Sequence, residues 1–572
     1  MANTYDAAYN GTNAHLGNCT AYTRKVCCTA NAPPTHTTPI LNASDNPLNR
    51  TSATLTAWNQ STSDPNGDPV TNIHSFALNG SPIAILLYPF DTNEASTSTG
   101  AIRDYARGHN GTLVNAPVWT SSGIVGGAFV FNGNNSYIAT PHTPALNYTG
   151  GHLTLAAWIR PTSTAFGCVI SKPWNDQGDY NYLVRFSSGQ AIVELKGGSG
   201  FISNGTNVST NAWSHLATIL TPNRVLIYLN GTLAVNDSYT MQNWTPPNGG
   251  TGLSLITGSL YPYGEGWSGN PFFTFNGTID DVRIYNRSLS AAQVQQIFIE
   301  GRDRYNHSSI VPEETTKGDN WSVAVTPNDG ALDGSTLWSE NLTIRNSPPN
   351  AVLLTAPANN STTLERYPTF TWVTQDNDSD VVNSTWTLTS PAGCAAIPAK
   401  TTLSLSYTSI DRLCTDRWYN WTVFACDTEN ACTVNASTFT FSINSSVGVA
   451  FTRAAVNFGT LLPSTPTFTS TNTTLTNNPL PLHYNNTGNV DINVSVRADA
   501  PLWLTQGLGT PFFRVADENN VSWIDAPAAY TLLFANLTPS QERELEVNVT
   551  VPQGEPATAK NTTLRILGVS IE

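Results

Sequence analysis

Short runs of alternating apolar and polar residues, each cut off after a few positions by Gly, Pro, Asn or Asp, recur along almost the whole chain. Alternation with a period of two puts every second side chain on one face of a strand. Many such runs between dense turn residues make the pattern of packed antiparallel sandwiches. A chain of 572 residues is too long for one core and suggests about three to five domains. The expected fold class is all-β, a string of antiparallel β-sandwiches.

FNGTIDDVRIYNRSLSAAQVQQIF, residues 275–298, departs from this rhythm. Its first half reads as a strand through Ile279, Val282, Ile284 and Tyr285. Its second half predicts a helix, with Ser290 as N-cap and Gln293 completing a capping box. Val294, Ile297 and Phe298 then share one helical face.

Residues 33–83 supply three or four strands, including ATLTAW and NIHSFALNGSPI, too few to close a two-sheet core. Residues 303–346 supply about three more, including NWSVAVTPNDG and SENLTI. Joined, they make about seven strands in roughly 95 residues, the size of one immunoglobulin-like domain. The expectation is a discontinuous domain, 33–83 and 302–347, hosting an insert at 84–301. Insertion at an exposed loop is tolerated when the guest's ends lie close together. Two further sandwiches are expected at 348–445 and 446–572. The segment 1–32, with strand-like YTRKVCC, reads as the end of a preceding module. Met1 to Tyr9 lack the basic start and apolar core of a signal peptide, so a mature form or a piece of a longer exported chain is expected.

The joined segments, through SDPNGDPVTN and KGDNWSVAVTPNDG, resemble immunoglobulin-like repeats of large archaeal and bacterial surface proteins. The inter-sheet disulfide such repeats often carry would fall near Ala57 and Val323, where apolar packing must replace it. A partial repeat links LTAWNQSTSDPNGDPVTN (55–72) to FTWVTQDNDSDVVN (370–383). The second opens a domain resembling fibronectin type III or immunoglobulin-like folds, and 446–572 resembles the terminal β-domains of the same surface proteins. Within 84–301, ILLYPFD, GGAFVFNGNNSYIATP, LTLAAWIRP, WSHLATIL, RVLIYLNGTL and GTIDDVRIYNRSLSAAQVQQIF follow in order. That series resembles the laminin-G-like, concanavalin-A-type lectin jelly roll. ARGHNG departs from the family's usual Ser-Gly-Asn-Gly.

The resemblance implies a terminal strand lying beside the first one and a helix packed over the end of the sandwich. It also implies Ca²⁺ between the first loop and the last strand, with Asp91, Asp104 and one of Asp280 and Asp281 as candidate ligands. Adjacent residues of a strand point to opposite faces, so at most one of the last two faces an ion. Calcium takes six to eight hard oxygens. Turn hydrogen bonds and an ion pair with Arg103 or Arg283 are the competing assignment. Asp64, Asn66 and Asp68 mimic an EF-hand start, but Ser75 stands where the twelfth-position Glu is needed. That turn and the one at Asp376, Asp378 and Asp380 read as solvated.

Only 12% of residues are charged, and 40 Asp and Glu outnumber 26 Lys and Arg. This argues against nucleic acid, which needs clustered cations. No run of about 18 apolar residues suits a membrane span. About thirty N-x-S/T triplets, among them Asn110, Asn230, Asn276, Asn341, Asn420 and Asn548, exceed the ~10–15 expected by chance. An extracellular glycoprotein is expected, with sugar replacing missing surface charge. Of eight cysteines, Cys394, Cys414, Cys426 and Cys432 share one domain-sized stretch and suit two disulfides, Cys394–Cys414 with Cys426–Cys432 being one pairing. Cys168, with no local partner, is expected to be buried.

Aromatic faces stack on pyranose rings, and planar polar groups bind their hydroxyls. SKPWNDQGDYNY offers Trp174, Asn175, Asp176, Gln177 and Tyr180 as candidate ligand contacts. SLYPYGEGWSGN offers Tyr261, Tyr263, Glu265 and Trp267. Capping of a sandwich end competes with ligand contact for both loops. No H-E-x-x-H, G-x-S-x-G or Walker loop occurs, and no clustered carboxylates suit glycoside hydrolysis, so no enzyme is expected. The expected function is recognition of carbohydrate or a glycoprotein at a cell surface. The alternative is a structural subunit of a surface layer, sheath or filament, binding copies of itself edge to edge.

Overall fold

The structure is a computed structural model describing residues 30–173, 180–195, 201–240, 253–260, 273–305, 307–380, 382–434, 437–469, 478–517 and 522–571. Two compact units meet at the Ser347–Pro348 bond.

In the first unit, strands from both sides of the insert make one sandwich. Thr35–Ala43, Leu55–Ser63 and Ser309–Ile310 form one sheet. Thr71–Leu78 pairs along its length with Asn320–Asn328 in the other. Ala57 and Val323 lie in the same core as Leu41, Phe76, Trp321 and Ile344. The two Trp strands of the partial repeat differ: Trp372 is buried, whereas Trp58 is 55% exposed.

The insert is a two-sheet jelly roll. In its first sheet Asn276–Tyr285 is central, flanked by Leu153–Pro161 on one side and by Ala128–Asn132 and Ala84–Tyr88 on the other. The last strand therefore does run beside the first. The second sheet orders Phe201–Ile202, Gln190–Leu195, Tyr180–Ser187, Gly167–Pro173, Leu255–Thr257, Tyr137–Thr140 and Thr112–Val114. Ile85, Phe129, Leu155, Tyr182, Val193 and Ile284 belong to the core enclosed between them.

The helix forms at Ala291–Arg302, with the Ser290 side chain accepting from Gln293 N. Two features differ from the sequence expectation. Gln293 does not complete the box: its amide donates to Ser309 O (3.1 Å) and accepts from Val311 N (2.9 Å) on the host. Glu314 instead accepts from Ser290 N at 2.5 Å. The helix also lies on the outer face of the first sheet, not over its end. Val294 and Ile297 bury against Ala156, Ala217, Ile219 and Tyr285, at about 1.5–3 kcal/mol each. The two alanines leave room for it. Phe298 is only half-buried and joins a separate cluster, its ring 5.7 Å from that of Trp158. The helix thus forms the seam between insert and host.

A second joint ties the insert's first loop to the host. Asp333 accepts from Tyr105 Oη (2.8 Å) and pairs with Arg103 (2.6 Å), and Asn328 donates to Thr92 (2.8 Å).

The second unit holds two sandwiches. Trp372, Trp386, Trp421, Phe370 and Phe441 fill the first core, and disulfides join Cys394 to Cys414 and Cys426 to Cys432. Tyr484, Ile492, Val494, Val515 and Val547 fill the second. Arg412 pairs with Asp491 (2.9 Å), and Asn489 donates to Leu364 O (2.7 Å) and Asn444 O (2.9 Å).

Candidate functional site

In the second sheet of the jelly roll, Tyr182, Val184, Phe186, Val193 and Leu195 point into the core. Alternation sends Leu183, Arg185 and Glu194 to the other face. There Glu194 accepts from Arg185 Nε and from Tyr180 Oη. The Arg185 guanidinium lies 5.0 Å from the Phe166 ring centroid, and Phe166 and Phe273 rings sit 4.3 Å apart. Leu183, Cys168 and Leu260 form the apolar floor beside them. Burial pushes the Cys168 thiol well above its ordinary range, so it is a packing residue.

Tyr180 is the one candidate contact residue among those described, and it belongs to this network. Trp174, Asn175, Asp176, Gln177, Tyr261, Tyr263, Glu265 and Trp267 lie outside the described residues. Their two segments are joined to this face by sequence: Pro173 and Tyr180 bracket one, Leu260 and Phe273 the other. Sequence reading missed Glu194, Arg185 and Phe166; the signal available was Glu194 and Arg185 at the polar positions of two alternating strands. Lys172 was missed too. It is fully buried, donates to Leu253 O and lies 3.1 Å from His142 Nδ1, and burial lowers it to about 8.

The four candidate calcium ligands do not converge. Asp104 accepts from four backbone N–H groups, of Leu87, Ala106, Arg107 and His109, at 2.8–3.1 Å. Asn110 supports that loop by accepting from Asp104 N at 2.9 Å. Asp281 turns to Arg283, 2.8 Å away. It has φ +48°, and the pairing register shifts beside it, between Trp158↔Asp280 and Ala156↔Arg283, as at a β-bulge. Asp280 and Asp91 do come together around residues 123–127. Asp280 Oδ2 accepts from Ile124 N (2.7 Å) and Val125 N (3.3 Å), while Gly127 N donates to Asp91 Oδ1 (3.3 Å).

Glycine is required there. A Cβ at Gly126, whose φ is +58°, would stand 2.0 Å from Asp91 Oδ1, and one at Gly123 would stand 2.7 Å from Asp280 Oδ2. Asp280 Oδ1 is buried without a hydrogen-bond partner. Burial, then the charges of Asp281 and Asp91, push the Asp280 carboxyl well above its usual range. Among the described residues, no group of three or more His, Cys, Asp or Glu side chains is placed to hold a metal ion. Two buried carboxylates, one with an orphaned oxygen, suit the hard-oxygen preference of calcium, which takes six to eight such ligands.

Asp64 accepts from Asn66 N (2.7 Å) and Asp68 N (3.1 Å), and Asp376 from Asp378 N (2.7 Å), which makes both acidic stretches side-chain-braced turns.

Comparison with curated proteins finds no match. Among solved structures the chain is similar to domain 4 of AbnA, a GH43 extracellular arabinanase from Geobacillus stearothermophilus in complex with arabinotriose. Identity is 21% over 39% of this chain and 98% of that one, with a TM-score of 0.28. Trypanosoma rangeli sialidase, in complex with 2,3-difluorosialic acid, is 15% identical over 39% of this chain and 34% of its own, TM-score 0.30. The match thus spans about a third of the sialidase. A SAP-like pentraxin from Limulus polyphemus is 16% identical over 32% and 82%, TM-score 0.22. Residues 132–295 match the family model described as the concanavalin A-like lectin/glucanases superfamily, and the jelly roll they help to build is a module of that type.

Proposed function

We propose that the jelly roll recognises carbohydrate, or the glycan of a glycosylated partner, at the outer face of its second sheet. The supporting observation is the Tyr180–Glu194–Arg185–Phe166 network on that face, from which both aromatic-rich segments depart in sequence. An aromatic face beside oriented polar groups suits a pyranose, which presents an apolar ring face and a rim of hydroxyls. Glu194 held by Arg185 acts as a fixed acceptor; hydrolysis would need a second carboxylate across the cleft. Calcium at Asp91 and Asp280 braces the 123–127 loop. The protein is exported and glycosylated, a reading supported by the exposure of Asn230, Asn276, Asn341 and Asn420; Asn110 and Asn548 are half-buried.

The test applies the full chain to a glycan array. Trp174→Ala and Tyr180→Phe are expected to weaken binding about tenfold or more, equal to roughly 1.4 kcal/mol, with unchanged melting temperature. Binding indifferent to both variants, or to every glycan, would sink this reading.

A structural role in a surface assembly has one specific support. Among the described residues the strand Leu564–Ser570 pairs on one side only, and it exposes Leu567 and Val569, an edge open to edge-to-edge association. Polymers in negative-stain images that vanish with Val569→Lys are the expected result; polymers indifferent to that change would remove the support.

A further inference from the structure

We infer that the host sandwich carries a second carbohydrate subsite, in a groove between the strand Thr35–Ala43 and the Glu340–Thr343 segment. The groove holds about 530 Å³, within the range of small-ligand clefts, roughly 300–1,000 Å³. It forms where the two sheets of the host stand apart: Thr35–Ala43 ends one sheet, and Leu342–Thr343 flanks Asn320–Asn328 in the other. The core residues Leu41 and Leu342 make an apolar floor.

The walls are polar. Asn42, Asn46, Asn49, Asn341, Thr38 and Thr343 line the groove, the Thr343 hydroxyl also donating to Asn320 Oδ1 (2.6 Å). Asn49 Oδ1 is buried without a partner. Glu340 and Arg345 line the same groove, both exposed, and among the described residues neither side chain has a hydrogen-bonding or ionic partner. A carboxylate, a guanidinium and several amides around a small apolar floor match the chemistry of a saccharide, whose vicinal hydroxyls take paired hydrogen bonds. Ile40, on the groove wall, pairs across the sheet with Trp58, and both are exposed. That indole extends the platform on which a second ring can stack.

An added peptide strand fits less well. Pro39 offers no N–H, and the pairing register of Thr35–Ala43 is irregular from Thr37 to Ile40. Both features blunt an edge against strand addition.

The saccharide has two sources: a glycan of another molecule, or one attached to this chain. Asn42, Asn49 and Asn341 each begin an N-x-S/T triplet. Full-length protein made without N-glycosylation is applied to an oligosaccharide array as wild type, as Glu340→Ala/Arg345→Ala and as Trp174→Ala/Tyr180→Phe. Signals lost at least tenfold in the first variant and kept in the second assign an external glycan to this groove, whatever becomes of the jelly-roll site. Glycosylated full-length protein is then compared with Asn341→Gln by amide exchange. Protection of residues 40–42 that falls about tenfold on losing that glycan assigns the chain's own sugar. Array signals indifferent to Glu340 and Arg345, together with exchange indifferent to Asn341, overturn the proposal. Protection of residues 40–42 that grows with concentration of unglycosylated protein also overturns it, in favour of strand pairing between copies. Glu340, Asn341 and Arg345 are exposed, so an unchanged melting temperature is the check that the fold survives.

Discussion

Saturating calcium is expected to raise the melting temperature of chelator-treated protein, and Asp280→Asn to abolish the rise. An ion present at about a hundred times its dissociation constant stabilises by about 2.7 kcal/mol, which for a module the size of the insert shifts melting by roughly 5–10 °C. The sign for metal-free protein follows from the same carboxyl. Its folded pKa is raised by burial, then by Asp281 and Asp91. The folded state therefore holds the Asp280 proton more tightly than the unfolded chain does. That contribution is fully present in acid and is lost as pH rises through the raised value. At neutral pH without calcium, Asp280→Asn is expected to equal or exceed wild type in stability, because the amide keeps the bonds from Ile124 N and Val125 N without the charge. With calcium the order reverses. Calorimetry at both conditions checks this; a flat calcium titration, or an Asp280→Asn protein that still responds, would remove the site.

Acid is expected to loosen the seam between insert and host. His74 of the host is buried against His307, Glu300 and Arg283, with its Nε2 3.0 Å from Asn59 Oδ1. Burial first, then His307 and Arg283, lower it to about 3, against the pull of Glu300. The unfolded chain takes up this proton below about 6.5, so the loss begins there and deepens until pH reaches about 3. Burial alone would raise Glu300, on the helix, but His307, whose Nδ1 lies 3.0 Å from its carboxylate, and Gln296 hold it down at about 2. Its contribution is present above about 4.5 and is lost as pH falls toward 2. Both groups act in the same direction, and each is worth several kcal/mol.

Glu300→Gln is expected to cost about 1–3 kcal/mol at pH 7, the usual penalty for disturbing buried hydrogen bonds, here those the carboxylate accepts from Gln296 and Ser308. His74→Leu is expected to flatten the fall in melting temperature between pH 6.5 and 4, since Asn59 is exposed and can turn to water. An undiminished fall in that variant would show that the acid response arises elsewhere, His215 being the other buried histidine lowered to about 3.

The helix shows where sequence reading stops. Ser290 is its cap because a hydroxyl can reach the backbone three residues on, a relation contained in the local chain. Gln293 has the right spacing to answer it, yet the return bond comes from Glu314, and the Gln293 amide spans to Ser309 and Val311. A glutamine in a buried seam satisfies the nearest orphaned peptide groups, and those belong to the host. The paired aspartates behave similarly. Alternation separates Asp280 from Asp281, but the positive φ at Asp281 and the register shift beside it decide that one meets Asp91 and the other Arg283.

Sequence by itself determined the all-β class, the strand rhythm, the capped helix at Ala291–Arg302 and the ordered jelly-roll series. Those depend on side-chain period, turn chemistry and capping, all acting over a few residues. Tertiary structure alone decided that Asp104 serves its own loop, that Glu194 and Arg185 share a face with Tyr180, and that Asn42 and Asn341 line one groove. These are meetings of residues far apart in the chain, set by bulges and sheet register, and a single-residue shift in register turns a side chain to the opposite face.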